Sequence, residues 1–367
     1  MTAERDIAVF ALPFAAGTFA AAYISVLYDT PPTIFTLMAA TCAVILFHPL
    51  HKRLSDKALI AIIMSAASLC GLVVGTSSAM LESTSLPKSE AAAGWIRTLS
   101  SSMKEMIAAI HFENSQSNAI LTALITGDRG LLAESTVRTF RDSGASHILA
   151  LSGMHLGIIY GILKGLLSPL GNSRTSRVIR SGIIVSICSI YTLATGAGAS
   201  ITRALTFIIL GETAVMTGRY RSIGSILLAS LLLQLAICPS SAKDIGFQLS
   251  YAAMAGIAYI FPRLRGLWKN GKYPFIDRPM RWIWTSACMS IACQLTTGPL
   301  AWVYFGSFPQ YFILTNLLAL PLVGLIIPAG LLTMTLEGFG ICPDALSWIT
   351  DRLISGMAFI LEAIASL

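Results

Sequence analysis

Ser143-Gly-Ala-Ser-His-Ile-Leu-Ala-Leu-Ser-Gly-Met-His-Leu-Gly157 opens an apolar segment that continues to Leu170. Two histidines, three serines and three glycines sit at its mouth. Polar groups in lipid are costly and usually face a cavity or another helix. The stretch is therefore expected to line the place where the protein works.

The surrounding chain sets the class. Of 367 residues, 55% are hydrophobic and only 12% charged, and the mean hydropathy is +0.73. Soluble domains carry about 25% charged residues. Apolar runs of about 20 residues, the length that crosses a bilayer, recur throughout. The expected fold is an all-α polytopic integral membrane protein with about eleven transmembrane helices, some broken or re-entrant. Candidate spans are 7–28, 31–50, 57–80, 146–170, 178–198, 201–217, 222–240, 245–262, 283–304, 311–334 and 347–367. The first is expected to be retained, because no small-residue cleavage site follows it.

Basic residues orient the spans. Lys52, Arg53 and Lys57, then Arg174, Arg177 and Arg180, then Arg219 and Arg221, then the run from Arg263 to Arg281 all fall on one side if the N-terminus is cytoplasmic. That places 81–145 and the C-terminus on the far side. The net charge of +7 is then mostly a topology signal and weak evidence for a nucleic-acid partner. Seven scattered cysteines include no CxxC pair, so no disulfide framework or zinc site is expected.

The long outer segment begins with a polar linker, Glu82 to Ala93. Apolar residues then recur at helical spacing (Ile96, Leu99, Met103, Met106, Ile107, Ile110, Ala119, Leu121, Leu124). This predicts one or two amphipathic helices on the outer surface, broken near 114–118. Gly127-Asp-Arg-Gly130 is a turn, and Glu134 to Arg141 a short charged helix.

Four polar constellations stand out in the spans. In the first, His147, Leu151 and His155 follow i, i+4, i+8 spacing and are expected on one helical stripe. They either bond across helices or line a hydrated path. The histidines are too far apart for one ordinary metal site. In the second, Arg203 either snorkels to the interface or offers a fixed cation to phosphate, and Glu212 needs a partner. In the third, Gln248 and Ser250 open a span, where inter-helix bonding is the default. In the fourth, Gly298 and Pro299 are expected to interrupt a span, with Pro321 and Pro328 interrupting the next. Asn316 lies nearby, and the aromatics of 302–312 form an interfacial belt or stack bases.

Taken in order, these blocks resemble the competence domain of the ComEC-type DNA-internalisation family. The carrying residues are Ala123-Leu-Ile-Thr-Gly-Asp-Arg129, Phe140 through Gly157 with its HxLAxSGxHxG core, Ser200-Ile-Thr-Arg-Ala204, Gly246-Phe-Gln-Leu-Ser-Tyr251, Gln294-Leu-Thr-Thr-Gly-Pro-Leu300, Phe305-Gly306 and Asn316-Leu-Leu-Ala319. The resemblance covers about 120–330. It implies a channel in the cell inner membrane that conducts single-stranded DNA into the cytoplasm during natural transformation. The implied organisation is N-terminal spans (1–80), an extracytoplasmic linker with an amphipathic helix (81–119), the competence domain (120–335) and a final span (336–367). Larger members add an OB-like domain and a metallo-β-lactamase-like domain. Neither is expected here, since 81–119 is too short for the first and no HxHxDH motif marks the second.

On this reading Asp128, Arg129, His147, Ser152 and His155 shape the outer mouth. Arg203 contacts phosphate, and Gln248 and Asn316 line the path. No catalytic residue, metal or cofactor is expected. No Walker-type loop is present, so a cytoplasmic helicase or motor is expected as a partner. A DNA receptor, a separate nuclease, membrane lipid and a second copy of the chain complete the expected partners. Two alternatives stay open. One is a secondary transporter of a small anionic solute built on Arg203 and broken helices. The other is an intramembrane hydrolase using Ser152 and His155, disfavoured because side chains at i and i+3 on one helix run roughly parallel.

Overall fold

A computed structural model describes residues 2–24, 90–218, 222–268, 274–306 and 311–367. The expected spans 31–50 and 57–80, with Lys52, Arg53 and Lys57, lie outside the described residues. So do Arg219, Arg221, Lys269, Lys272 and Phe308.

Every described element is helical. In chain order these are α1 (Thr2–Ile24), α2 (Glu90–Ala109), α3 (Ser117–Thr126), α4 (Glu134–Asp142), α5 (Ser146–Leu149), α6 (Gly153–Leu166), α7 (Arg174–Ala194), α8 (Ala199–Met216) and α9 (Ile223–Ile237). Then come α10 (Ile245–Ala255), α11 (Phe261–Arg265), α12 (Pro274–Phe305), α13 (Phe312–Gly338) and α14 (Asp344–Ala365). Among the described residues, four stretches are long and apolar enough to cross a membrane: Arg174–Ala194, Ala199–Met216, Ile245–Arg265 and Phe312–Gly338. Those four support a membrane protein.

Interruptions fall in a different place from the one expected. Pro299 sits inside α12, and Pro321 and Pro328 inside α13, with both helices continuing through them. A proline removes one ladder bond and crowds the preceding turn. In a packed membrane helix, neighbouring groups absorb that loss. The real break comes earlier, in the span expected at 146–170. It is split into α5 and α6.

The chain divides into two compact units. One holds Met1–Lys88 and Gly218–Ala258. Within it α1 packs along α9, and the Phe247 ring stacks obliquely on Tyr251, 4.6 Å between centroids. Tyr251 meets the Ser230 hydroxyl at 2.5 Å, a bond between α10 and α9.

The second unit holds Ser89–Thr217 and Tyr259–Leu367, and its core is centred on α3. Nine of the ten α3 residues are buried. The expected amphipathic pattern holds for α2, whereas α3 is buried on nearly every side and is a core helix. α2 turns Met103 and Ile107 inward and leaves Arg97 exposed. Asn118 closes the α2–α3 hairpin by donating to the carbonyls of Ile107 and Ile110 at 2.9 and 3.1 Å.

The far end of that hairpin meets α13 and α14. Asp351 accepts the Ser117 hydroxyl and the Asn114 amide, which places a carboxylate at the positive end of α3. Arg352 pairs with Glu113 at 2.6 Å. A Cβ added at Gly338 would lie 2.6 Å from the Met106 sulfur. The hairpin turn therefore sits at the α13–α14 connection. The charge-derived topology puts that connection on the cytoplasmic side and all of 81–145 on the other. Direct contact is incompatible with opposite faces of a hydrocarbon layer about 30 Å thick. The hairpin turn and the α13–α14 connection therefore lie on the same side.

Gly330 provides the close approach of α13 to α3. A Cβ there would run into Leu121 Cδ1, whereas one at Gly324 would meet nothing within 4 Å. Gly330→Ala is expected to cost about 1–3 kcal/mol through overpacking. Gly324→Ala is expected to leave the thermal midpoint of the detergent-solubilised protein unchanged. Equal midpoints for the two variants would contradict this packing.

Candidate functional site

The site is built around a chain break. α4 ends at Asp142, and Gly144 takes a left-handed φ of +77°. One turn of helix follows in α5. Ala150 and Ser152 are then extended (φ −75°, ψ 125°; φ −119°, ψ 169°) before α6 begins. His147, Leu151 and His155 thus do not share a helical stripe, because the helix that would align them is interrupted at 150–152.

A break in an apolar segment leaves backbone groups without ladder partners, and each buried orphan costs about 1–3 kcal/mol. Named side chains answer that cost. Arg129 Nε donates to the Leu149 carbonyl at 3.2 Å. The Ser152 hydroxyl caps α6 by accepting the Met154 amide at 3.3 Å. The Ser152 amide in turn donates to His155 Nδ1 at 3.1 Å, completing a capping box in which histidine takes the usual glutamate position. Thr315 on α13 donates to the Ser143 carbonyl at 2.5 Å. Gly127, at φ +79°, approaches Leu151 so closely that a Cβ would lie 3.1 Å from the Leu151 Cβ. Gly153 meets Ala204 of α8 at the same distance.

This geometry revises the expectation for Ser152 and His155. Ser152 lies outside the helix, so the two side chains do meet, with Oγ 3.0 Å from Nδ1. That nitrogen already accepts an amide proton, so the remaining ring proton sits on Nε2. His155 is fully buried, and its Nε2 has no hydrogen-bond partner among the described residues.

His147 is the accessible histidine. It is exposed at the protein surface. Its Nδ1 donates to the Gly144 carbonyl at 3.2 Å. Asn316 lies beside it, with Nδ2 donating to Ser290 Oγ at 3.2 Å. Arg203, in the second turn of α8, is only 6% exposed. Its side chain is held inside the protein, next to the Gly153–Ala204 contact.

Asp128 and Arg129 sit in the turn after α3, from which Arg129 reaches the break. Asp128 pairs with Lys104 of α2 at 2.5 Å and accepts the Gly130 amide at 2.9 Å. The Lys104 hydrogen bond, then that amide, hold its carboxyl below the ordinary value of 3.8. Gln248 belongs to the other unit, where its Nε2 donates to the Ala242 carbonyl at 2.9 Å. Seven of the eight expected site residues therefore fall in one unit, and Gln248 does not. Among the described residues, no group of three or more His, Cys, Asp or Glu side chains converges as a metal site would.

Glu212 has a role that the sequence only hinted at. It is buried at 2% exposure. It accepts the Tyr160 hydroxyl of α6 at 2.8 Å and the Ser181 hydroxyl of α7. One carboxylate thus joins α6, α7 and α8. The charge in an apolar run was the visible signal, but its hydroxyl partners are 52 and 31 residues away.

Long apolar helices and a polar broken segment held inside a helical unit define a helical membrane protein. The Competence protein family matches residues 124–367, and the chain belongs to it. ComE operon protein 3 of Bacillus subtilis (strain 168) is 28% identical over 268 residues, which cover 68% of this chain and 32% of that relative. The chain thus spans about a third of the relative's length. No solved structure matches.

Because Asp128 titrates lower folded than unfolded, its contribution is present above the ordinary carboxylate value and lost as pH falls below it. In melts between about pH 6 and pH 3, Asp128→Asn is expected to flatten the acid limb near pH 4 and below. An acid limb as steep as that of the parent would contradict the Lys104 pairing.

Proposed function

We propose that this chain is an inner-membrane conduit through which one strand of DNA enters the cytoplasm during natural transformation. The observation that carries the reading is the broken segment in a competence-family chain. It leaves His147 accessible beside Asn316 and keeps Arg203 inside. A strand bearing one negative charge per nucleotide needs a polar lining and fixed cations to pass hydrocarbon. A guanidinium suits phosphate through its fork of donors. His155, fully buried, serves the path indirectly by fixing the break that leaves His147 accessible.

The other parts of the reading are tied to this role. The N-terminus is cytoplasmic, and about eleven spans cross the membrane, with the α2–α3 hairpin re-entrant. The C-terminus is extracytoplasmic. Asp128 and Arg129 shape the mouth by fixing the break, and Gln248 and Asn316 donate along the path. The protein is not itself an enzyme. A receptor delivers duplex DNA, a separate nuclease removes one strand, and a cytoplasmic helicase or motor supplies the work. Self-association of the chain is part of the proposal.

Uptake of labelled DNA by cells carrying His155→Ala or Arg203→Ala, at equal protein level, tests the assigned roles. Loss of a charge-assisted contact of about 1.5–3 kcal/mol predicts a fall of about tenfold or more. Unchanged uptake in both variants would overturn them.

A further inference from the structure

A basic and aromatic surface lies where α11 meets α12, apart from the break. Trp268, just past the end of α11, clasps the two helices. Its indole nitrogen donates to the Asp277 carboxylate of α12 at 3.1 Å. Its ring stands 6.0 Å from the Trp284 ring, tilted by 40°. These two contacts bring four arginines into one neighbourhood. Arg263 and Arg265 close α11 just before Trp268, Arg278 follows Asp277, and Arg281 lies nearly one turn before Trp284. All four are exposed, and none forms an ion pair among the described residues. Arg263 uses one donor on the Tyr259 carbonyl. Asp277 is the sole carboxylate in the sequences of α11 and α12, and the indole engages it. The surface therefore carries a positive field.

Topology asks for positive charge here, but not for two helix ends clasped so that their arginines lie together. Arg278, Arg281 and Trp282 follow i, i+3, i+4 spacing and share one face of α12. The Trp282 side chain is 50% exposed on that face. Guanidinium groups beside an open indole match a chain of phosphates that carries flat bases. An anionic lipid headgroup would meet the arginines but offers the indole no planar partner. We propose that Arg263, Arg265, Arg278 and Arg281 bind phosphates of a single nucleic-acid strand and that Trp282 stacks one of its bases. The site rests on the conduit reading for its cargo. With the N-terminus cytoplasmic it faces the cytoplasm and receives the strand as it leaves the membrane.

The full chain is reconstituted in phosphatidylcholine nanodiscs, and binding of a fluorescent oligothymidylate is followed by anisotropy at rising salt. Arg278→Gln with Arg281→Gln is expected to weaken binding about tenfold. The same pair is expected to make the logarithmic salt dependence shallower by about 1.4, for two phosphate contacts at about 0.7 each. Trp282→Ala is expected to weaken binding about fivefold or more with the salt slope unchanged. Arg278→Lys with Arg281→Lys is expected to keep most of the binding, which separates lost charge from lost fold. The control pair Lys164→Gln and Arg174→Gln removes equal charge elsewhere and is expected to bind like the parent. The proposal fails if the parent does not bind the strand, if control and test pairs weaken alike, or if Trp282→Ala binds like the parent. It also fails if the glutamine pair loses its effect once phosphatidylglycerol is included, since the arginines then belong to headgroups. Parent-like binding by the glutamine pair overturns this site and leaves the conduit standing. The conduit instead fails on unchanged uptake in the break variants, even where the oligonucleotide binds here.

Discussion

The structure around the candidate site depends on the demand that buried backbone groups be paired. An unbroken helix through 146–170 would meet that demand within itself. The chain instead extends at Ala150–Ser152 and must recruit partners from elsewhere. Arg129 reaches back to Leu149, Ser152 and His155 cap α6 reciprocally, and Thr315 takes the Ser143 carbonyl. Each tie joins the break to a different part of the unit. A side chain at the break is therefore placed by tertiary contacts as well as by its own helix, as a precisely positioned site requires.

The ties also explain the division of labour among the polar residues. His155, Ser152 and Arg129 hold the conformation, and His147 is left exposed at the protein surface. Glycine acts by close approach at Gly127 and Gly153, where Leu151 and Ala204 lie within 3.1 Å of an added Cβ. Further along α6, Glu212 gathers two more helices through hydroxyl donors. A buried carboxylate met by well-placed donors avoids the cost of an unpaired charge. The unit is thus braced at both ends of α6.

Much of this was legible in the sequence. Composition and apolar runs point to a helical membrane protein, and the polar stretch at 143–157 marks the candidate site. Ser152 followed three residues later by a side chain able to accept its amide was a capping signal. The i, i+4, i+8 spacing of His147, Leu151 and His155 pointed instead to an unbroken stripe. Periodicity reports which residues share a face only if the helix is continuous, and nothing local decides between break and continuation. For α3 the apolar spacing matched an amphipathic helix. Its polar positions are buried too, because Thr122 and Thr126 bond their own helix carbonyls and Ser117 finds Asp351. The Glu212 partners and the docking of the hairpin turn on Asp351 are long-range contacts, invisible to spacing. Pro299 marked a break that neighbouring packing suppresses.

The central claim is that the break exposes His147 to water while Ile148 beside it stays packed. Reaction of a water-soluble maleimide with His147→Cys and, separately, Ile148→Cys measures this directly, with the parent protein setting the native-cysteine background. Ile148 is fully buried and His147 exposed, although they are adjacent in sequence. The account predicts rapid labelling at position 147 and background labelling at 148. Equal labelling at the two positions, or protection of 147, would contradict it.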